Sequence, residues 1–168
     1  MSTPNQTDAA TKAADNTADA GIDPRGPRFG AAITNVLSIV IFFLALDEGS
    51  LNSDIAYLLL VYAAGLFAVG AFFGTSSHPY SWLYKKLVRP RLSAPKELED
   101  PRPPQFAQAV GLFVAAVGIV LQLVGVRYGV AIAAAALFAA STLQAYFAYC
   151  LGCQIYLALK RAGIIRAS

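Results

Sequence analysis

The chain has 168 residues, of which 57% are hydrophobic and 14% charged, and its formal net charge is +3. A soluble domain typically has about 45–50% apolar and about 25% charged residues, so this composition predicts a membrane protein of one domain. It excludes a soluble nucleic-acid-binding fold, which would need a basic surface interleaved with aromatic side chains. We therefore expect a lipid bilayer and no nucleic acid among the partners.

The first 22 residues are rich in Ala, Thr, Asp and Asn. They lack the basic and then apolar layout of a secretory signal, so we expect a disordered tail over 1–22. The first span would then act as an uncleaved insertion signal. A membrane domain is predicted over 23–161, followed by a short tail over 162–168.

Four apolar runs are long enough to cross a bilayer, which takes about 20 residues. The predicted spans are 29–46, 55–74, 106–126 and 128–150, with a loop over 75–105. Their interiors contain no Asp, Glu, Lys, Arg or His, which argues against a proton relay or voltage sensor in the hydrocarbon layer. The predicted fold class is an all-α integral membrane protein, a four-transmembrane-helix bundle. An oligomer remains compatible with this sequence.

Basic residues predict the orientation of the spans. Most Lys and Arg residues fall in three blocks, ahead of the first span, in the 75–105 loop and after the fourth span: Arg25, Arg28, Lys85, Lys86, Arg89, Arg91, Lys96, Arg102, Lys160, Arg161 and Arg166. The loop between the third and fourth spans carries only Arg127. The loop 47–50 is acidic. Because positive loops stay on the cytoplasmic side, both termini and the 75–105 loop are predicted to be cytoplasmic.

The pattern D-P-R-x-P-x-F occurs twice, at 23–29 and at 100–106. Pro in the first turn, an acid near the positive end of the helix dipole and Arg at the headgroups are typical of a helix start. Specific lipid or partner contacts by Arg25 and Arg102 are the alternative. The sequence predicts two similar helical hairpins related by an axis along the membrane normal.

The second halves of the hairpins also align, with 71–73 opposite 145–147. In that register His78-Pro79 falls opposite Gly152-Cys153, so we expect His78 and the cysteines at similar depths near the cytoplasmic face. Polar residues within the spans are expected to hydrogen-bond between helices: Asn35, Gln122, Ser141, Thr142 and Gln144. A cofactor or quinone cleft is the alternative interpretation of these residues.

The segment 80–89 mixes aromatic, aliphatic and basic residues, which is typical of a helix lying on the membrane surface. A docking surface for a cytoplasmic partner is the alternative. Five prolines between Pro90 and Pro104 predict an extended chain after it.

Cys150 and Cys153 are the two cysteines of the chain and form a C-x-x-C pair. Small apolar packing residues are one interpretation. Zinc needs four ligands, so two thiols and the single histidine do not suffice for it without a second copy. A purely structural disulfide is disfavoured in a reducing compartment. Reversible thiol chemistry remains: disulfide exchange, persulfide carriage or redox sensing.

Residues three apart share a helix face, at a separation that a disulfide tolerates. Since the predicted fourth span runs to Cys150, the pair would lie at a helix C-terminus, where thiolates are disfavoured. Reactivity would need compensation from Lys160, His78 or the 85–86 lysines, or a helix break at Gly152. His78 is the candidate general base.

With D-P-R-x-P-x-F, H-P-Y at 78–80, R-P-R-L at 89–92, E-D-P-R-P-P at 99–104 and C-L-G-C at 150–153, the chain resembles domain-of-unknown-function family 4395. These are small multipass membrane proteins common in actinobacteria. The resemblance covers roughly 23–161 and implies a four-span bacterial inner-membrane protein without an established activity. Encoding of members near thioredoxin-like or rhodanese-like proteins implies thiol or sulfur chemistry with such a soluble partner.

Three functions follow as expectations. The first is a membrane-bound thiol–disulfide or sulfur-transfer component with Cys150 and Cys153 as its redox pair. The second is a non-catalytic scaffold or accessory subunit of a membrane complex, with the cysteines as packing residues. The third is a quinone-linked oxidoreductase. Whether the protein is an enzyme, and which cofactor it uses, the sequence leaves open.

Overall fold

The structure, a computed structural model, describes residues 21–47, 49–93, 95 and 97–164. The predicted tail therefore falls almost wholly outside the described residues, as do Glu48 of the acidic loop and the basic residues Lys96 and Arg166.

The described chain forms six α-helices. They are α1 (Arg25–Leu46), α2 (Ser50–Phe73), α3 (Pro79–Leu83), α4 (Arg102–Leu123), α5 (Gly129–Phe147) and α6 (Leu151–Arg161). Four of them, α1, α2, α4 and α5, are long and apolar enough to cross a membrane. The predicted all-α membrane bundle is confirmed.

Both copies of the D-P-R-x-P-x-F motif start a helix, and the helix begins at the Arg. The carboxylate of Asp23 accepts the backbone N–H of Arg25 at 3.0 Å, and that of Asp100 accepts the N–H of Arg102 at 2.9 Å. Spans α1 and α4 consequently begin four residues before the predicted bounds 29 and 106. Each acid satisfies a donor at the end of the helix that carries positive partial charge.

The spans close into a ring in the order α1, α2, α4, α5. The most extensive interfaces are α1 with α5 and α2 with α4, and the next are α1 with α2 and α4 with α5. At the centre Ile41, Leu60, Ala115 and Ala134 are fully buried. Small residues allow the close approach, since a Cβ on Gly118 would collide with Ala133.

The two hairpins are related by a pseudo-two-fold axis. Ile22 and Glu99, which hold the same position ahead of the two motifs, pair with each other: each N–H donates to the other's carbonyl, at 2.8 and 2.9 Å. A rotation that exchanges the two hairpins maps this pair onto itself. It also exchanges the α1–α5 interface with the α2–α4 interface, in agreement with the predicted parallel repeat.

The amide of Asn35 joins α1 to α5, as predicted. Its Nδ2 donates to Oγ1 of Thr142 at 2.7 Å and to Oγ of Ser141 at 3.3 Å. These bonds satisfy a polar group that would otherwise be costly at this depth.

The segment 80–89 is helical, as predicted, and has two different faces. Helix α3 continues into a π-type turn over Tyr84–Val88. Tyr84 is buried on α1, where its hydroxyl donates to Asp23 at 3.0 Å and its ring lies 5.9 Å from that of Phe29. Trp82 is exposed, with the ammonium of Lys86 over its ring at 4.8 Å. This arrangement suits a membrane surface.

Candidate functional site

The fourth span ends before the cysteines. Helix α5 stops at Phe147, Ala148 adopts a left-handed conformation with φ 54°, and the N–H of Tyr149 donates back to the carbonyl of Leu143 at 3.0 Å. The N–H of Ala148 donates to the same carbonyl of Leu143, and this bond between residues five apart is typical of a helix C-terminus. The helix therefore ends three residues before the approximate predicted bound of 150. The reversal sends the chain into the separate helix α6.

Cys150 is the N-cap residue of α6. Its backbone is extended, and its Sγ accepts the backbone N–H of Cys153 at 3.2 Å. The two residues are joined by a disulfide, with their Cα atoms 5.1 Å apart, and both are half-buried. The thiol pair thus occupies the first turn of a helix.

This position reverses the expected electrostatics. The N-terminus of a helix carries positive partial charge and free N–H donors, which stabilise a thiolate. The expectation that the pair lies at a helix C-terminus was therefore wrong. Compensation from Lys160 is also ruled out by distance, since it lies ten residues beyond Cys150, or about 15 Å along the helix.

Gly152 is a packing residue rather than a helix break. It lies inside the first turn of α6 and is buried against α4, where an added Cβ would come within 2.5 Å of Cα of Ala107. One turn later the ring of Tyr156 packs on that of Phe106, with the centroids 5.7 Å apart. These two contacts fix α6, and with it the cysteines, on the start of α4.

His78 occupies the matching position in the first repeat. It is the N-cap residue of α3, and its Nδ1 accepts the backbone N–H of Tyr80 at 3.2 Å. The side chain is buried, and this burial lowers the pKa of His78, while a hydrogen bond with the Leu66 backbone opposes the shift. A neutral imidazole whose Nδ1 lone pair serves the cap favours a structural role, and the role of base stays a prediction.

The structural register of the repeats differs from the predicted one after the second and fourth spans. The span ends Phe73 and Phe147 correspond as predicted, but four residues (74–77) precede the first cap and only two (148–149) precede the second. The counterpart of His78 is therefore Cys150 and not Gly152. Tyr84 on Phe29 and Tyr156 on Phe106 are likewise equivalent pairs.

A cavity of about 340 Å³ lies between the spans at this end of the bundle. His78 and Cys150 both line it, so the structure brings these two predicted residues to one site, whereas Cys153 lies outside it. The walls reach from Gly26 to Thr34 on α1, about 12 Å into the bundle. The disulfide thus has one side on the cavity and one side away from it.

The cavity wall holds three buried polar atoms without a hydrogen-bond partner among the described residues. They are Oγ1 of Thr75, Oε1 of Gln108 and Oε1 of Gln144. Gln144 was predicted to bond between helices, whereas its Oε1 has no such bond. Sequence reasoning missed Thr75 and Gln108, although Gln108 is conspicuous as a polar residue in an apolar run.

Tyr80 also lines the cavity, and burial raises the pKa of its phenol to about 12. The phenol is therefore uncharged at neutral pH. Among the described residues, Cys, His, Asp and Glu side chains nowhere form a group of three that could hold a metal ion.

Comparison with known families gives one match. The model of the family described as "Domain of unknown function (DUF4395)" matches residues 22–161. The chain belongs to this family. None of the curated proteins and none of the solved structures with which it was compared is similar to it. The family assignment confirms the resemblance inferred from the motifs and brings no activity with it.

Proposed function

We propose that this member of the DUF4395 family is a membrane-bound thiol–disulfide exchange component that acts through Cys150 and Cys153. The observation that carries the proposal is the N-cap geometry of Cys150, whose Sγ accepts the N–H of Cys153 at 3.2 Å. A thiol placed there is stabilised as the thiolate, which is both the nucleophile and the better leaving group in disulfide exchange.

The geometry divides the roles between the two cysteines. A thiolate of a soluble dithiol partner attacks Sγ of Cys153 and breaks the Cys150–Cys153 bond, so that Cys150 leaves as the stabilised thiolate. The partner's second thiol then attacks the partner sulfur of the mixed disulfide and releases Cys153. The partner ends as a disulfide, and its two electrons and two protons reside on Cys150 and Cys153.

Charge supports a cytoplasmic position for the pair. The basic residues Arg25, Arg28 and Arg102 lie at the starts of α1 and α4, at the same end of the bundle as the start of α6. By the positive-inside rule this end faces the cytoplasm. A disulfide in a reducing compartment is typically transient and catalytic rather than structural, and a soluble thioredoxin-like protein is the proposed partner.

The test is labelling of the full-length protein in sealed membrane vesicles of both orientations with a membrane-impermeant maleimide, before and after reduction. We expect reductant-dependent labelling of both cysteines from the cytoplasmic side. Thiols that stay unreactive from both sides after reduction would contradict the proposal and favour the packing interpretation. Labelling from the outer side alone would reverse the orientation.

Role assignment is tested with a thioredoxin-type protein whose second cysteine has been replaced, and the remaining cysteine of each variant first carries a thionitrobenzoate disulfide, so that the attacking thiol expels thionitrobenzoate and the mixed disulfide forms without a further oxidant. Cys150→Ser retains the attacked Cys153 and lacks the residue that would displace the bound protein, so we expect it to accumulate a mixed disulfide. Cys153→Ser is the matched control and should accumulate little. The opposite pattern would exchange the two roles, and no mixed disulfide with either variant would contradict the mechanism.

A further inference from the structure

The pair cannot hand its electrons to a second thiol pair of the same chain. Cys150 and Cys153 are the only cysteines in the full sequence. Once a soluble dithiol has reduced them, turnover requires a two-electron oxidant from elsewhere. Cys150 lines the cavity, so the chemistry of the cavity indicates what that oxidant is.

The cavity fits a flat apolar molecule that carries a few polar atoms. Its volume of about 340 Å³ lies within the range of small-molecule sites, about 300–1,000 Å³. Glycine and alanine of two spans form much of the wall: Gly30, Ala31, Ala107 and Gly111. The described lining residues include no Asp, Glu, Lys or Arg, which disfavours phosphorylated or otherwise ionic ligands.

Three residues of the cavity wall carry buried polar atoms without a partner among the described residues, and a small rotation of each side chain would bring its polar atom within reach of a ligand. Buried polar groups are almost always hydrogen-bonded, and each exception calls for a ligand, a water or another explanation. Thr75 is 92% buried, since its relative exposure is 8%, and its Oγ1 has no partner among the described residues. Oε1 of Gln108 on α4 and Oε1 of Gln144 on α5 are also buried and have no partner among the described residues.

We propose that this cavity binds a membrane-soluble quinone, which accepts two electrons from Cys150 and Cys153. The inference rests on the proposed thiol–disulfide function and names the second redox partner of the same site. The two oxygens of a quinone accept hydrogen bonds, and those of the hydroquinone also donate them. The Thr75 hydroxyl can donate to a quinone oxygen, and the Oε1 atoms of Gln108 and Gln144 can accept from the hydroxyl groups of the hydroquinone. A half-turn of either glutamine amide presents Nε2 as a donor to the quinone instead, so these residues suit both redox states.

Two electrons pass from the cysteines to the quinone in two steps. The Cys150 thiolate, on the cavity side, adds to a ring carbon of the quinone and forms an S–C bond. The Cys153 thiolate then attacks Sγ of Cys150, the S–S bond forms and the S–C bond breaks, and its electron pair passes into the ring. Two protons complete the hydroquinone. The dithiol is oxidised to the disulfide, and the quinone is reduced.

Binding can be measured separately from the thiol chemistry. The purified full-length protein in its disulfide form, in nanodiscs without quinone, is titrated with a naphthoquinone whose free ring positions are both methylated. The matched dimethylnaphthalene has a similar shape but no oxygens. We expect the quinone to bind about tenfold more tightly or better, from the hydrogen bonds it adds. Equal affinity for the two compounds would overturn the proposal, because the cavity would then be a general apolar pocket.

Variants locate the site within the bundle. Gln108→Met should weaken quinone binding about three- to tenfold, whereas Gln122→Met, in the same helix but about 21 Å away, should not change it. Equal effects of these two variants would also overturn the proposal. Thr75→Val should weaken binding while leaving the ligand-free protein as stable or more stable, since it removes an unpartnered hydroxyl. Thr75→Ser should restore binding.

The electron step has its own measurement. The reduced protein, mixed with the quinone without oxygen, should form one disulfide for each hydroquinone produced. If the cysteines exchange with a soluble dithiol protein but no quinone binds, the proposed function stands and this inference is overturned. If quinone binds but the cysteines are inert toward the dithiol protein, the proposed function is overturned, and the electron step with it.

Discussion

The two repeats form the same arrangement of span, turn and short helix, but the residue that caps the short helix differs. In each, a span ends, the chain turns, and a short helix packs a tyrosine on the phenylalanine of the motif, at 5.9 Å for Tyr84 on Phe29 and 5.7 Å for Tyr156 on Phe106. The residue that caps the short helix is His78 in the first repeat and Cys150 in the second.

The helix cap is common to both repeats, whereas the second sulfur occurs in one of them. A cap that accepts an N–H is structural, because both repeats have one and it satisfies a helix donor. A second sulfur one turn later is present only in the second repeat, where the turn is also two residues shorter. The proposed thiol chemistry therefore belongs to the second repeat, while both cap residues line one cavity.

The largest expected effect comes from removing the sulfur at the second cap, and removal of the imidazole at the first cap is the comparison. Cys150→Ala should lower the exchange rate with a thioredoxin-type protein by on the order of 10³-fold, since the two thiols act as a unit. His78→Asn should change it less than about threefold, because asparagine is itself a good N-cap residue. The measurement is stopped-flow exchange with each purified variant. An equally large loss with His78→Asn would establish the predicted role of base.

The next effect tests how closely each short helix packs. A Cβ at Gly152 would lie 2.5 Å from Cα of Ala107, whereas one at Gly30 would lie 3.7 Å from Cβ of Tyr80, in ordinary contact. Gly152→Ala should destabilise the protein by about 1–3 kcal/mol through overpacking. Gly30→Ala, within the first turns of α1, should be neutral or stabilising by up to about 1 kcal/mol. Thermal unfolding in detergent measures both, and equal effects would show that α6 is not held against α4.

The positions that end α2 and α5 offer a pair of effects of similar size and opposite sign. Gly74 has φ 83° and ψ 159°, a region almost reserved for glycine, whereas its counterpart Ala148 has φ 54°. Gly74→Ala should therefore cost about 1–3 kcal/mol. Ala148→Gly should stabilise the protein by about 1 kcal/mol, because it removes the left-handed penalty. The same unfolding assay decides, and a loss of stability in Ala148→Gly would contradict the left-handed turn.

The spans, the helix starts and the duplication could be predicted because their signals are local. A run of apolar residues determines a span, and D-P-R-x-P-x-F determines where a helix begins. The break at Ala148 could not be predicted, because neither Gly nor Pro marks it and Ala148-Tyr149 continues an apolar helical run. It follows from packing, because Gly152 and Tyr156 bind α6 to α4.

The cavity was equally hidden from the sequence. Thr75, Gln108 and Gln144 are distant along the chain and become wall residues only when the turn after α2 assembles with α4 and α5. Each is an ordinary polar residue in its local context. What distinguishes each is a buried oxygen without a hydrogen-bond partner in the part of the chain that the structure describes, and this is a property of the assembled bundle.

The smallest expected effect is a pH dependence of the unfolding temperature that arises from His78 at the first cap. Burial lowers the pKa of His78 below its ordinary value of 6.5, so the folded protein binds its proton less readily than the unfolded chain does. The contribution of His78 to the free energy of unfolding is therefore complete above a pH of about 6.5 and is lost as the pH falls toward the lowered pKa. His78 is the only histidine in the chain. The unfolding temperature should fall between pH 7.5 and pH 5 in the natural protein and fall less in His78→Asn, whose side chain keeps the cap without titrating. Equal pH dependence in the two proteins would mean that the fold does not hold the imidazole neutral. The cap of the first repeat would then be accessible to protons from solvent.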